Sequence, residues 1–138
     1  MRYMMLMIPA GYEAAAPGTM PDDPKAVEVM MRYNEELQKA GILVAAEGLH
    51  PPSMGARVSF ATGEPVVTDG PFAEAKEVVG GYWVIEVGSR EEAIEWAKRC
   101  PAQPNETIEI RRIMEMDDFP DDVRAAAEGY ADMQSKRS

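Results

Sequence analysis

The chain holds one cysteine and one histidine among its 138 residues. A lone cysteine closes no internal disulfide, which makes a reducing, cytoplasmic compartment the expected home. Cys100 stands before Pro101 at an expected helix end and reads as a structural thiol. One imidazole, His50, among scattered carboxylates offers too few ligands at suitable spacing for a metal site, so no metal is expected. Long apolar runs are also missing. The opening MRYMMLMIP is too short and too lightly flanked for a signal peptide, and no segment approaches a membrane span. Basic residues are few: 14 Lys and Arg against 24 Asp and Glu, a formal charge of −10. Nucleic acid and anionic membranes both need a positive surface, so neither is an expected partner. There is no Gly-rich phosphate loop, no Ser or Cys nucleophile motif and no Cys/His cluster, and no cofactor is expected.

What remains is a globular composition, 46% apolar and 28% charged, with length enough for one well-cored domain. Residues 2–8 carry apolar side chains on both alternating sets, so this strand is expected to be covered on both faces. Residues 9–21 form an aperiodic loop. Asp22 or Asp23 then caps a helix with Pro24 in its first turn. Its expected apolar stripe is Val27, Met30, Met31, Asn34 and Leu37, with Gly41 as the stop. A second strand follows at 42–47. Residues 57–61 and 65–68 flank Thr62-Gly63 as a hairpin, and Gly80-Gly81 opens a strand at 82–87. Ser89 to Glu92 reads as a capping box in which Ser and Glu satisfy each other's free amides. The helix it starts ends at Pro101, and residues 107–114 form the last strand. In the tail, Val123, Ala127, Tyr130 and Met133 fit one helical stripe.

With the hairpin set aside the order is βαββαβ, the ferredoxin-like unit, giving an α+β fold with an inserted hairpin. Residues 1–119 form the domain and 120–138 a helical or flexible tail. Both helices of such a unit lie on one sheet face, so the two-faced apolar strands need further cover. Extra loops could supply it, but a second copy through a two-fold interface is the more economical source, which predicts a homodimer.

The segment Thr68-Asp69-Gly70-Pro71-Phe72-Ala73-Glu74-Ala75-Lys76-Glu77 is the most unusual. Asp69 is expected to bond the backbone two residues on, Gly70 to take a positive φ, and Phe72 to anchor the turn. Four ionisable groups fall within these residues. They are either solvated or aimed into a cleft, with Asp69, Glu74 and Lys76 tuning one another. His50 ends the second strand beside Glu47, a position that suits a general base as well as a plain surface residue. Arg57 and Arg111 lie inside strands, where each either pairs with a neighbouring acid or clamps an anionic ligand.

The DGPFAEAKE run, the GGYW strand, EEAIEWAKRCP and the closing IEIRRI together resemble the DGPF branch of the YCII-related family. The likeness runs from MRYMMLM through EGLHPP to about Phe119. It implies a ferredoxin-like fold assembled as a dimeric α/β barrel. Most members have no assigned function, and many are found beside sigma factors of the extracytoplasmic type. One relative in the wider superfamily removes chloride from a chlorinated hydroxyquinone. Some members carry a His–Asp pair proposed as the active site, with the His on the first helix. Here that stretch reads Met30-Met31-Arg32-Tyr33-Asn34 and has no His, which leaves Asp69 as the matching acid and His50 as a possible substitute.

Two functions follow. One is a cofactor-independent lyase or isomerase acting on a small molecule, with Asp69 or His50 moving a proton. Arg57, Glu47, Phe72, Glu74 and Lys76 would then hold the ligand. The other is a non-catalytic ligand-binding or regulatory dimer, for which the resemblance suggests a sigma factor as partner.

Overall fold

In the computed structural model, which describes residues 1–73 and 75–135, the centre is β1 (Arg2–Ile8). It lies between β5 (Gly81–Glu86) and β6 (Thr107–Arg112), and β2 (Leu43–Gly48) adds to the far side of β5. The sheet order is β2-β5-β1-β6, every neighbouring pair antiparallel. Met5 faces both Trp83 and Ile110 in register. That puts Tyr3, Met5, Met7, Trp83 and Ile85 on one face, in a single buried cluster with Tyr33, Leu37 and Ala93. The alternate residues of β1 are only half-buried, in keeping with a strand that is apolar on both sets. Among the described residues the sheet stays open, and no closed barrel forms.

Helix α1 (Pro24–Lys39) starts as its sequence dictates: the Asp23 carboxylate accepts from the Lys25 amide at 3.0 Å, with Pro24 as the first helical residue. It ends at Gly41, whose φ of 73° lets its own amide reach Gln38 O and the Ile42 amide reach Leu37 O. The buried stripe differs from the expected one. Met30, Tyr33 and Leu37 face the core, while Val27 and Met31 are 43% and 50% exposed. Tyr33 wins its place because its ring packs edge-on against Trp83, 5.7 Å between centroids, and its hydroxyl donates to Trp96 O at 2.8 Å. Asn34 sits beside it and accepts from Trp83 Nε1 at 2.7 Å.

Helix α2 (Arg90–Lys98) corrects the capping box. Ser89 Oγ accepts from the Glu92 amide at 3.1 Å, but Glu92 accepts from Gly88 N at 2.9 Å rather than from the Ser89 amide. The hairpin strands are β3 (Ala56–Ser59) and β4 (Val66–Asp69), with Val58 opposite Val67 and both strands exposed throughout. The tail is not one helix. It breaks into α3 (Asp121–Arg124) and α4 (Tyr130–Ser135) because Gly129 sits at φ 92°. Tyr130 packs on Phe119 at 5.6 Å, and Met133 is exposed.

Cys100 is half-buried against the core, and burial, reinforced by Glu106, pushes its thiol pKa up to about 11. The folded state therefore favours the neutral thiol. That contribution is complete below the ordinary thiol pKa near 8.5 and is lost as pH rises through about 11. We expect stability to fall over that window in the native chain and to fall less in Cys100→Ala, checked by urea midpoints at stepped alkaline pH. Parallel midpoint curves for the two proteins would show that the thiol titrates as it does in the unfolded chain.

Candidate functional site

The strand order brings the ends of β1 and β2 together with the starts of β5 and β6 at one end of the sheet, where α1 also begins. A cleft of about 750 Å³ opens there. Pro9 and Ala10 follow β1; Gly48, Leu49 and His50 close β2; Gly80 precedes β5; Gln103 and Glu106 precede β6; Asp22, Asp23 and Ala26 come from the start of α1. The walls are held by backbone and ring contacts. Tyr12 donates its hydroxyl to Leu49 O at 2.6 Å, Leu49 N donates to Gly80 O at 2.9 Å, and Gly80 N donates to Met7 O at 2.8 Å. Gly80 is required by this approach, since a Cβ there would stand 2.5 Å from the Pro9 ring. Pro51, fully buried, fixes the chain just after His50.

The electrostatics are one-sided. Among the described residues no Lys or Arg lines the cleft, whereas Asp22, Asp23 and Glu106 do. Asp23 is occupied by its cap, and Glu106 accepts from Gln103 N at 2.6 Å. The start of α1 is a poor anion site. Pro24 has no N–H, the Lys25 amide is taken by Asp23, and Val27 N donates to Asp23 O. His50 is exposed, and no described residue hydrogen-bonds or ion-pairs its ring.

Of the described residues that the sequence marked as site candidates, only His50 lines this cleft. Glu47 is opposite Tyr82 in β2 and forms no hydrogen bond or ion pair with His50. Asp69 ends β4, is exposed, and makes no side-chain hydrogen bond to a described residue. The expected Asp69 turn bond fails for a chemical reason: the residue two places on is Pro71, which has no N–H. Gly70 is not at positive φ either. Glycine is demanded by the neighbouring chain, because a Cβ would overlap the carbonyl oxygen of Pro52. Arg57 lies over the half-buried Phe72 ring, 3.9 Å from its centroid, and neither Arg57 nor Arg111 forms an ion pair with a described residue. Lys76 is exposed. Glu74 lies outside the described residues. Among the described residues no group of three or more His, Cys, Asp and Glu could hold a metal ion, and no helix is long and apolar enough to cross a membrane.

Tyr12, Asp22, Asp23 and Glu106 were missed as site residues by sequence reasoning. The available signal was topological: in this element order the segments after β1 and β2 and before β5 and β6 meet at one end.

These features define an α+β protein with an open antiparallel sheet, two helices against one face, and a cleft where the strands end. Residues 1–117 match the YCII-related domain, and the chain belongs to that family. It is also similar to an uncharacterized protein of Rhizobium meliloti, 31% identical over 77 residues that make up 56% of this chain and 62% of that protein. The match thus spans about three-fifths of the relative's length.

Proposed function

We propose that the protein is a small-molecule-binding subunit of ferredoxin-like type that works as a homodimer, with the His50 cleft as its ligand site. The observation that carries this reading is the cleft itself, within the size range of small-molecule pockets, walled largely by apolar side chains and holding the chain's only imidazole. A binding role is favoured over proton-transfer catalysis because a working base is normally oriented by a third group, and no described residue holds the His50 ring. The anionic ligand clamped by Arg57 or Arg111 is set aside, since neither lines the cleft.

A fragment screen followed by NMR tests the site. Hits should move the His50 ring signals together with the Leu49 and Gly80 amides, and His50→Ala should weaken them by about threefold to tenfold, as loss of one polar contact does. Hits that leave these three positions unmoved would overturn the assignment. Turnover of any hit, lost in His50→Ala, would restore the lyase or isomerase reading.

The dimer is supported by the sheet face opposite the helices. Met4, Leu6 and Ile8 are half-buried there, Val84 opposite Met4 is already fully buried within the chain, and Glu109 and Arg111 are opposite Leu6 and Met4. The two charges can pair across a two-fold axis. Light scattering should give twice the 15.2 kDa chain mass, and Leu6→Lys should return it to one chain. A native mass of one chain at micromolar concentration ends the dimer reading.

A further inference from the structure

A second cavity, of about 570 Å³, lies on the helix side of the sheet between α2 and the edge strand β6. Its floor is apolar: Ile94 of α2, Ile108 and Ile110 of β6, and the ring of Tyr3. An arginine flanks it on each element. Arg90 is the first residue of α2, one turn before Ile94, and Arg112 follows Ile108 and Ile110 at strand period, so each element presents its arginine and its isoleucines together. Both guanidinium groups retain free donors. Arg112 gives one N–H to Asp118 at 3.1 Å, and that carboxylate is held in place by the Glu115 amide at 2.8 Å. Arg90 approaches Glu91 only to 3.9 Å, beyond hydrogen-bond length, and its side chain is 71% exposed.

We propose that this groove binds a small amphipathic carboxylate, its anionic head between Arg90 and Arg112 and its aliphatic or aromatic body on Ile94, Ile108 and Ile110. The charge complementarity is local and runs against the rest of the molecule. With a formal charge of −10 the chain repels anions at long range, so an anion is retained only where guanidinium forks meet it directly. The apolar floor adds what two exposed arginines alone lack, a surface that rewards a hydrophobic body and separates this ligand class from inorganic anions. Glu91 and Asp118 each approach one of the two arginines, at 3.9 Å and 3.1 Å, and their negative charge disfavours a dianion more strongly than a monoanion. The groove is on the helix side, so pairing of two chains through the other sheet face leaves it open.

The test is an NMR titration of the full chain, with isoleucine methyls labelled, using phenylacetate, phenylacetamide and phenethylamine. These share one body and differ in head group. Phenylacetate is expected to shift the Ile94, Ile108 and Ile110 methyls while leaving the His50 ring unmoved. Phenylacetamide should bind about tenfold more weakly, and the amine should not bind, because the charge-assisted bonds are lost or reversed. Arg90→Gln and Arg112→Gln should each weaken phenylacetate about fivefold to tenfold, and raised salt should weaken it further. The Arg90 side chain makes no hydrogen bond to a described residue, so its variant keeps the test independent of folding even if Arg112→Gln loosens the Asp118 contact. Equal binding of acid and amide, shifts that persist in Arg90→Gln, or no methyl shift at tens of millimolar probe would each overturn the proposal.

Discussion

Gly70→Ala should detach the hairpin from the rest of the molecule. The added Cβ would overlap the Pro52 carbonyl oxygen and stand 2.7 Å from its carbon, both backbone atoms that no rotamer change can move. The Gly70 amide also donates to Gly55 O at 2.9 Å, so relief of the overlap pulls on that bond. Overpacking of this kind costs about 1–3 kcal/mol, and the weakened hydrogen bond adds about 1 kcal/mol. Because β3 and β4 are exposed along their whole length, the loss should appear first as local opening. Amide exchange of Arg57 and Thr68, the next hydrogen-bonded pair along the ladder from Gly55 and Gly70, should accelerate by about one to two orders of magnitude, while the midpoint of global unfolding moves less. The Pro51 and Pro52 segment follows His50 directly, so the ring signals of His50 should shift as well. Asp69→Asn is the control. Its side chain bonds no described residue, and the change should stay within about 0.5 kcal/mol. Native exchange rates in Gly70→Ala would mean that the turn does not dock on Pro52. Equal damage from Asp69→Asn would make the carboxylate a structural group.

Leu37→Ala should cost about 3 kcal/mol of global stability. Leu37 is 0% exposed in the cluster between α1 and the sheet, and its carbonyl accepts from Ile42 N at the helix end. Truncation removes buried methyl groups and leaves a cavity walled by elements that cannot close on it. Val27→Ala and Met31→Ala belong to the same sequence stripe, yet both positions are largely exposed and should change stability by less than about 0.5 kcal/mol. Urea unfolding with a common m-value reads all three. Comparable losses at positions 27, 31 and 37 would show that the helix is rotated from the orientation described.

These two expectations mark the boundary between local and tertiary information. Asp23-Pro24, Gly41 and Ser89 act through bonds to residues within a few positions, so their effects on helix ends are legible in the chain alone. The two apolar faces of β1 are equally local, since side chains alternate along any strand. The choice of stripe on α1 was not local. Val27, Met30, Met31 and Leu37 are chemically similar, and Tyr33 entered the core only because Trp83 offered a ring edge and Trp96 a carbonyl. Gly70 shows the same division: sequence marks a turn glycine, but the reason no Cβ fits comes from Pro52, eighteen residues earlier in the sequence and adjacent in space. The cleft follows this rule. His50 stood out as the lone imidazole, whereas Tyr12, Asp22, Asp23 and Glu106 joined it only when the crossing connections brought five chain segments to one end of the sheet. Short-range hydrogen bonds and side-chain alternation are determined by the sequence itself; which faces are buried and which distant groups share a cavity depends on long-range packing, whose partners no local pattern names.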